Sequence, residues 1–315
     1  MAAAHAGVHA SGLGKRFGDL WALRDLHIDA APGTVLGLLG HNGAGKTTAI
    51  RVLTTLARPT EGRATVAGYD VERFPALVRS NIGVASQQAT VDGLLDARLN
   101  LELIGRLHRL SRTDARRRAD ELIERFALTD AADRLVKTFS GGMRRRIDLA
   151  ACLVATPQVL FLDEPTTGLD PRSREDLWDM LRELVADGTT VILTTQYLEE
   201  ADRLADDIVV LDHGRTVAHG SPEQLKRQIG DDRIIVTVAL AEELSLAASV
   251  LSRFATGDLT MDARALTVTA STTSDTSLVE VVRALDANGV YVADLTRRQS
   301  TLDDVFLSLT ESEHR

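Results

Sequence analysis

Val35-Leu36-Gly37-Leu38-Leu39-Gly40-His41-Asn42-Gly43-Ala44-Gly45-Lys46-Thr47-Thr48 passes from an apolar run through a glycine-rich turn into a helix-compatible segment that reaches Leu56. Residues 40–47 fit the phosphate-loop pattern, and strand, loop, helix is the context that the pattern requires. Glycines let backbone N–H groups curl around phosphate oxygens, and the start of the following helix adds its dipole. Lys46 is then placed for β- and γ-phosphates, and the Thr47 hydroxyl for Mg²⁺. The chain has only four lysines, Lys15, Lys46, Lys137 and Lys226. A motif that needs lysine is hard to reach here by accident.

Outward from this loop, short apolar runs bounded by turn residues alternate with segments of helical period, the pattern of an α/β protein with a largely parallel sheet. Near-continuous apolarity marks Val35–Leu39, Ile82–Ala85, Val159–Leu162, Thr190–Thr194 and Ile208–Leu211 as strands covered on both faces. Pieces around Val8–Leu13, Leu23–Asp29 and Ala64–Ala67 read as an antiparallel flank. Arg172–Asp187 reads as an amphipathic helix stopped by Gly188, with Leu177, Met180, Leu181, Leu184 and Val185 on one stripe. From about residue 89 to 157 the chain reads as a helical insertion between two sheet strands.

After Gly220 the character changes. Ser221-Pro222-Glu223-Gln224 is a helix start, with serine as cap and proline at the first helical position. Strands are expected at Arg233–Leu240, Ala265–Ser271 and Val290–Thr296, with another near 258–261. Helices near Glu242–Phe254 and Thr276–Asn288 separate them. The order β-α-β-β-α-β predicts a small ferredoxin-like α+β domain over 232–315, joined by a linker at 221–231 to a domain spanning 1–220.

Composition narrows the partners. The chain has 315 residues, 44% hydrophobic and 26% charged, with a formal net charge of −9. This is a globular composition without a global basic field, so no nucleic-acid partner is expected. The charge-free stretches 30–45 and 149–162 are too short and too polar to span a bilayer, and the amino terminus lacks the basic start and apolar run of a secretory signal. One cysteine, Cys152, excludes a disulfide framework and reads as a packed core residue. The arginine runs 116–118 and 144–146 read as solvated helix faces. No His/Cys/acid cluster shows metal-ligand spacing along the chain, which leaves Mg²⁺ with the phosphates of the loop as the only metal expected.

Two further stretches carry chemistry. Val159-Leu160-Phe161-Leu162-Asp163-Glu164 is a buried strand ending in adjacent carboxylates. Asp163 is suited to hold Mg²⁺ directly or through water, and Glu164 to polarise an attacking water as general base. About twenty residues upstream, Ser140-Gly141-Gly142-Met143 offers a hydroxyl and backbone donors at a helix start. With these in place the chain resembles the ATP-binding cassette (ABC) ATPases over about residues 8–220. Ser140–Met143 matches their signature, with Phe139 and Met143 replacing its leucine and glutamine.

The resemblance implies that Ser140 meets a γ-phosphate held by a second copy, in a homodimer that sandwiches two ATP molecules. It implies that Phe17 stacks on adenine, that Gln87 touches Mg²⁺ and links the site to the helical insertion, and that Asp170 in Gly168-Leu169-Asp170 crosses the dimer interface. His41, Asn42, Gly43, Ala44, Gly45 and Thr48 belong with Gly40, Lys46 and Thr47 to the nucleotide loop. One departure stands out: the family's switch histidine is replaced by Gln196. An amide can hydrogen-bond phosphate or position water but does not titrate near neutral pH. Hydrolysis without a histidine-dependent step is the expectation.

Within the ABC proteins the chain resembles the daunorubicin-resistance-type ATP-binding subunits of bacterial drug exporters. The residues concerned are Thr138–Ala150, Thr194–Ala201 and the tail Ser300–Thr310. That implies peripheral residence on the cytoplasmic face of the membrane and a separate polytopic membrane subunit through which a hydrophobic or amphiphilic compound leaves. A soluble ABC ATPase of translation or DNA repair is the alternative. It is disfavoured by the single cassette, the absence of sustained heptads and the acidic charge.

Overall fold

The computed structural model describes residues 7–86, 90–229, 232–257, 259–273, 275–298, 301–304 and 306. Gln87 lies outside them. The chain divides into two units, through Pro222 and from Glu223 onward.

The first unit opens with β1 (Val8–Phe17), β2 (Leu20–Ala30) and β3 (Val35–Leu39), followed by α1 (Lys46–Leu53), β4 (Glu61–Val66) and β5 (Tyr69–Asp70). Next come α2 (Pro75–Asn81) and β6 (Ile82–Ala85), then the helices α3 (Ala97–Leu107), α4 (Arg112–Arg125) and α5 (Gly141–Leu153). β7 (Val159–Asp163), α6 (Pro171–Ala186), β8 (Thr190–Thr195), α7 (Leu198–Leu204), β9 (Asp207–Asp212) and β10 (Arg215–Gly220) complete it. The central sheet has the order β10-β9-β3-β8-β7-β6, parallel except for β10, which the sequence reading did not mark as a strand. The antiparallel flank has the order β2-β1-β4-β5.

Side chains alternate across this sheet and build a core on each face. Leu36, Leu38, Val159, Phe161 and Ile192 join the flank and α1 in one cluster. Val35, Leu160, Leu162, Val191 and Leu193 face the other way, into a cluster with Leu101, Leu122, Phe126, Ile147 and Trp178 from the helices. That two-sided burial is why the strands carry no polar alternation. Short side chains cap the helices of the insertion: Asp96 accepts from the Leu99 N–H, Ser111 from Asp114 and Ser140 from Met143.

The second unit opens with α8 (Pro222–Ile229), whose first residue is at the boundary. It runs β11 (Asp232–Val238), α9 (Leu244–Leu251), β12 (Leu259–Asp262), β13 (Thr267–Thr272), α10 (Leu278–Ala287) and β14 (Val292–Arg298). Its antiparallel sheet has the order β12-β13-β11-β14, the ferredoxin-like arrangement. Ile234, Val236, Val238, Val268 and Ala270 pack with Ala247, Leu251, Val281 and Leu285 into a core of its own.

Candidate functional site

Strand register collects the chemistry at one edge. Leu39 pairs with Thr195 and with Val210, Asp163 with Thr194, and Ala85 with Leu162. The segments that leave these strands therefore emerge together at the carboxyl ends of the parallel sheet, where open α/β sheets bind ligands. They are the loop 40–45, the Asp163-Glu164 pair and Gln196, which follows β8 directly and is half-buried.

The loop has the shape of an anion cradle. Gly45 sits at φ 109 immediately before α1, and a side chain there would meet the Ala22 carbonyl oxygen at 2.6 Å. Gly40 is packed so that a Cβ would lie 2.4 Å from the Leu211 carbonyl oxygen. Gly45 provides no side-chain cap to α1, which leaves the first-turn N–H groups for a ligand. Ala22, His41, Asn42, Gly43, Gly45, Lys46, Thr47, Thr48 and Glu164 line a cavity of about 200 Å³. Ala44 is buried beneath the loop.

Lys46 is only 5% exposed and donates to the carbonyls of Gly40 (2.6 Å) and His41 (3.0 Å). Its ammonium lies 3.9 Å from Glu164 Oε1. Burial holds this ammonium below the usual lysine range, against the pull of Glu164 and Asp163. A phosphate arriving here would meet a desolvated cation already aimed at the loop.

Thr47 Oγ1 lies 3.3 and 3.5 Å from the two carboxylate oxygens of Asp163. Adjacent ligands of octahedral Mg²⁺ stand about 2.9 Å apart, so this pair of hard oxygen donors fits that ion with little movement. Asp163 is oriented by a residue to which the sequence reading gave no role. The Thr194 hydroxyl, fully buried, donates to Asp163 Oδ1 at 2.6 Å and accepts from the Glu164 N–H at 3.1 Å. A sequence signal was present: two adjacent threonines, Thr194 and Thr195, close a strand whose middle, Val191–Leu193, is apolar. Glu164 itself adopts φ 47, and this left-handed turn ends the strand while Thr167 Oγ1 reaches Oε2 at 3.4 Å.

Phe17 ends β1 with its ring 49% exposed and the Lys15 ammonium 4.9 Å from its centroid. The cation covers one face of this exposed ring and leaves the other for a base to stack on. The signature caps α5: Ser140 is exposed, Gly141 has open space where a Cβ would go, and a Cβ on Gly142 would lie 2.7 Å from Ser173 Oγ. Met143 packs against the core. Asp170 caps α6, accepting from the Ser173 N–H (3.0 Å) and hydroxyl (2.7 Å), which holds its carboxyl below the usual range. A second opening is lined by Gly141, Arg144, Arg145, Asp148, Glu164, Pro165, Thr167, Gly168 and Leu169. Glu164 is thus shared by both openings, while residues 140–143 contribute nothing to the loop cavity.

The structure changes two expectations about isolated residues. Arg145 is no solvated face: it is half-buried and donates to the Ser86 carbonyl at 3.1 Å. His41, set aside on spacing, lies beside Asp212 and His213, with the three donor atoms within 4.8 Å of one another. Residues 171 positions apart meet through the β3–β9 register, which linear spacing cannot display. Cys152 is partly buried against the core, as a packing residue should be, and burial pushes its thiol up to about 12.

Comparisons with known proteins identify the family and the fold. A family model described as ABC transporter matches residues 23–167, and one described as the C-terminal domain of DrrA1-3-like ATP-binding proteins matches residues 220–310. The daunorubicin resistance ATP-binding protein DrrA2 of Streptomyces coeruleorubidus is 54% identical over 96% of this chain and 94% of its own. The daunorubicin/doxorubicin resistance ATP-binding protein DrrA of Streptomyces peucetius is 46% identical over 96% of this chain and 92% of its own. Among solved structures, a dimeric ATP-binding cassette in a post-hydrolysis state with ADP and phosphate superposes with a TM-score of 0.62. Its identity is 25%, and the match covers 68% of this chain and 98% of that one. With a glycine-rich loop at the carboxyl edge of its sheet, and relatives aligned along nearly its whole length, the chain belongs to the ABC transporter ATP-binding family and is an ATPase.

Proposed function

We propose that this chain powers a bacterial exporter, driving a hydrophobic or amphiphilic compound such as an antibiotic through a separate polytopic membrane subunit, and that it works as a homodimer. The observation that carries this reading is the division of phosphate-handling groups between two openings. Pockets for small ligands run roughly 300–1,000 Å³, and the loop cavity, at about 200 Å³, falls short of that. A second copy presenting Ser140, Gly141, Gly142 and Met143 across the gap completes it, with Asp170 at the seam. The dimeric neighbour described above supports the arrangement. The relatives' names, which speak of daunorubicin and doxorubicin resistance, support the cargo class and leave the translation or repair alternative without support.

In this reading Phe17 stacks on the adenine, and Lys46 exchanges its loop carbonyls for phosphate oxygens. Thr47, Asp163 and Gln87 are the residues that would hold Mg²⁺, which supplies neutralisation of phosphate charge when bound. Thr194 keeps Asp163 in place. Glu164 orients the attacking water and takes its proton, and the Gln196 amide hydrogen-bonds the departing phosphate. Among the described residues no helix is long and apolar enough to cross a membrane; the likeness to ATP-binding subunits of transporters supports a peripheral place on the cytoplasmic face, held by the membrane partner. The acidic net charge argues against a nucleic-acid partner.

The test is a pull-down of tagged Glu164→Gln with ATP and Mg²⁺ from detergent-solubilised native cells. A polytopic membrane protein in about equal amount is expected. Ribosomes, repair factors or no membrane partner at all would overturn the proposal.

A further inference from the structure

We infer that His41, Asp212 and His213 form a binding site for a divalent transition ion of the Zn²⁺ class, separate from the magnesium donors Thr47 and Asp163. The site is built by register. Because Leu39 pairs with Val210, continuing two residues along each strand brings His41 opposite Asp212. The turn after β9 then adds His213, which the chain holds at φ 43.

The donors are set for a cation. His41 Nδ1 lies 2.6 Å from the Asn42 carbonyl oxygen, an acceptor only, so this nitrogen carries the ring proton. Its Nε2 faces Asp212 Oδ1 at 2.7 Å, and His213 Nε2 stands 4.0 Å from the same oxygen. In the neutral ring, Nε2 and the carboxylate are two lone-pair bearers pointed at each other. Only a second proton or a metal ion between them resolves that contact. An imidazole whose other N–H is donated to a carbonyl is the usual outer arrangement of a metal-bound histidine.

Asp212 is buried, and its ion-pair partners are these two imidazoles. A tetrahedral ion about 2.0–2.1 Å from each donor needs donors about 3.4 Å apart. The 2.7 Å contact must open and the 4.0 Å contact must close by similar amounts. Rotation of the His213 side chain, 78% exposed, closes the second contact, and the His41 ring, 39% exposed, has room to tilt and open the first. Two imidazoles and one carboxylate, with a fourth position left for water, favour Zn²⁺, Co²⁺, Ni²⁺ or Cu²⁺ over Mg²⁺ or Ca²⁺. The other histidine–carboxylate pairs among the described residues, His9–Asp29, His27–Asp25 and His219–Asp207, are not part of any cluster of three donors; His41, Asp212 and His213 form the one such group found.

The experiment uses the full chain, tag-free, stripped by chelator and without nucleotide, titrated with Co²⁺ and then Zn²⁺. One Co²⁺ per chain should bind with the visible absorption of a low-coordinate site, and Zn²⁺ should displace it while millimolar Mg²⁺ does not. Zn²⁺ should also raise the melting temperature by mass action. His213→Asn keeps a residue that tolerates positive φ and removes the imidazole. It should leave the metal-free melting temperature unchanged and weaken uptake by at least the roughly tenfold that loss of even an outer-shell partner costs. No uptake beyond that of Mg²⁺ means a bare imidazolium–carboxylate pair and overturns the proposal. Uptake of equal affinity in His213→Asn means adventitious binding elsewhere and overturns it too.

Discussion

A single hydroxyl, that of Thr194, fixes both carboxyl-bearing residues at the end of β7, and its removal isolates that effect. Thr194→Val preserves shape and removes the short 2.6 Å donor to Asp163 Oδ1, leaving that oxygen only the long 3.5 Å contact with Thr47. Hydrogen bonds to charged groups contribute about 1.5–3 kcal/mol, so the apparent Mg²⁺ requirement of the ATPase should rise about tenfold or more while the fold persists. Mg²⁺ titration of turnover, with circular dichroism as control, measures this. Glu200 makes a complementary case. It is fully buried in α7 with the Trp178 indole N–H 3.4 Å from Oε1, and burial raises its carboxyl above the ordinary glutamate range. The folded state then binds more protons than the unfolded one between those two values, so stability falls as pH rises through that window. Glu200→Gln removes the ionisation. Its melting temperature relative to wild type should climb as pH rises above the ordinary glutamate range, and a constant difference would contradict the assignment.

At the scale of elements, the starts of α5 and α6 are locked together by one contact. Ser173 Oγ lies 2.7 Å from where a Gly142 Cβ would fall and simultaneously donates to Asp170. Gly142→Ala should therefore displace the signature from α6 and suppress the ATP-dependent dimer of Glu164→Gln. Gly142→Ala with Ser173→Gly should restore much of it, and size-exclusion chromatography with ATP and Mg²⁺ distinguishes the cases. Legibility followed the same logic of local against distant contacts. The buried strands and the stripe of α6 could be read because a continuous apolar run or a helical period is a local property. β10 escaped because its residues are only half-buried on the edge of the sheet and carry no alternation to read. The loop and the Asp163-Glu164 pair were legible as motifs, whereas Thr194 and the His41–Asp212 contact arise from pairing between distant strands.

For the whole molecule, the two units have separate cores, the second closed around Ile234, Val236, Leu251, Val268 and Leu285. A fragment spanning 223–315 should fold alone with a cooperative thermal transition, and the full chain should show two transitions of which ATP shifts only one. A non-cooperative fragment would mean that its core depends on the rest of the chain. The chain has one loop cavity and one signature. Activity should accordingly rise with the square of protein concentration when copies are scarce, and linearly once they are paired.

The left-handed backbone of Glu164 sets function against robustness. At φ 47 asparagine and glycine are more comfortable than glutamate, so Glu164→Asn should be the more stable protein, by about 0.5–1 kcal/mol in urea. Selection for thermal endurance alone, with no demand for turnover, would discard this carboxylate early. Its persistence in a laboratory lineage would then report that the lineage is still being asked to work.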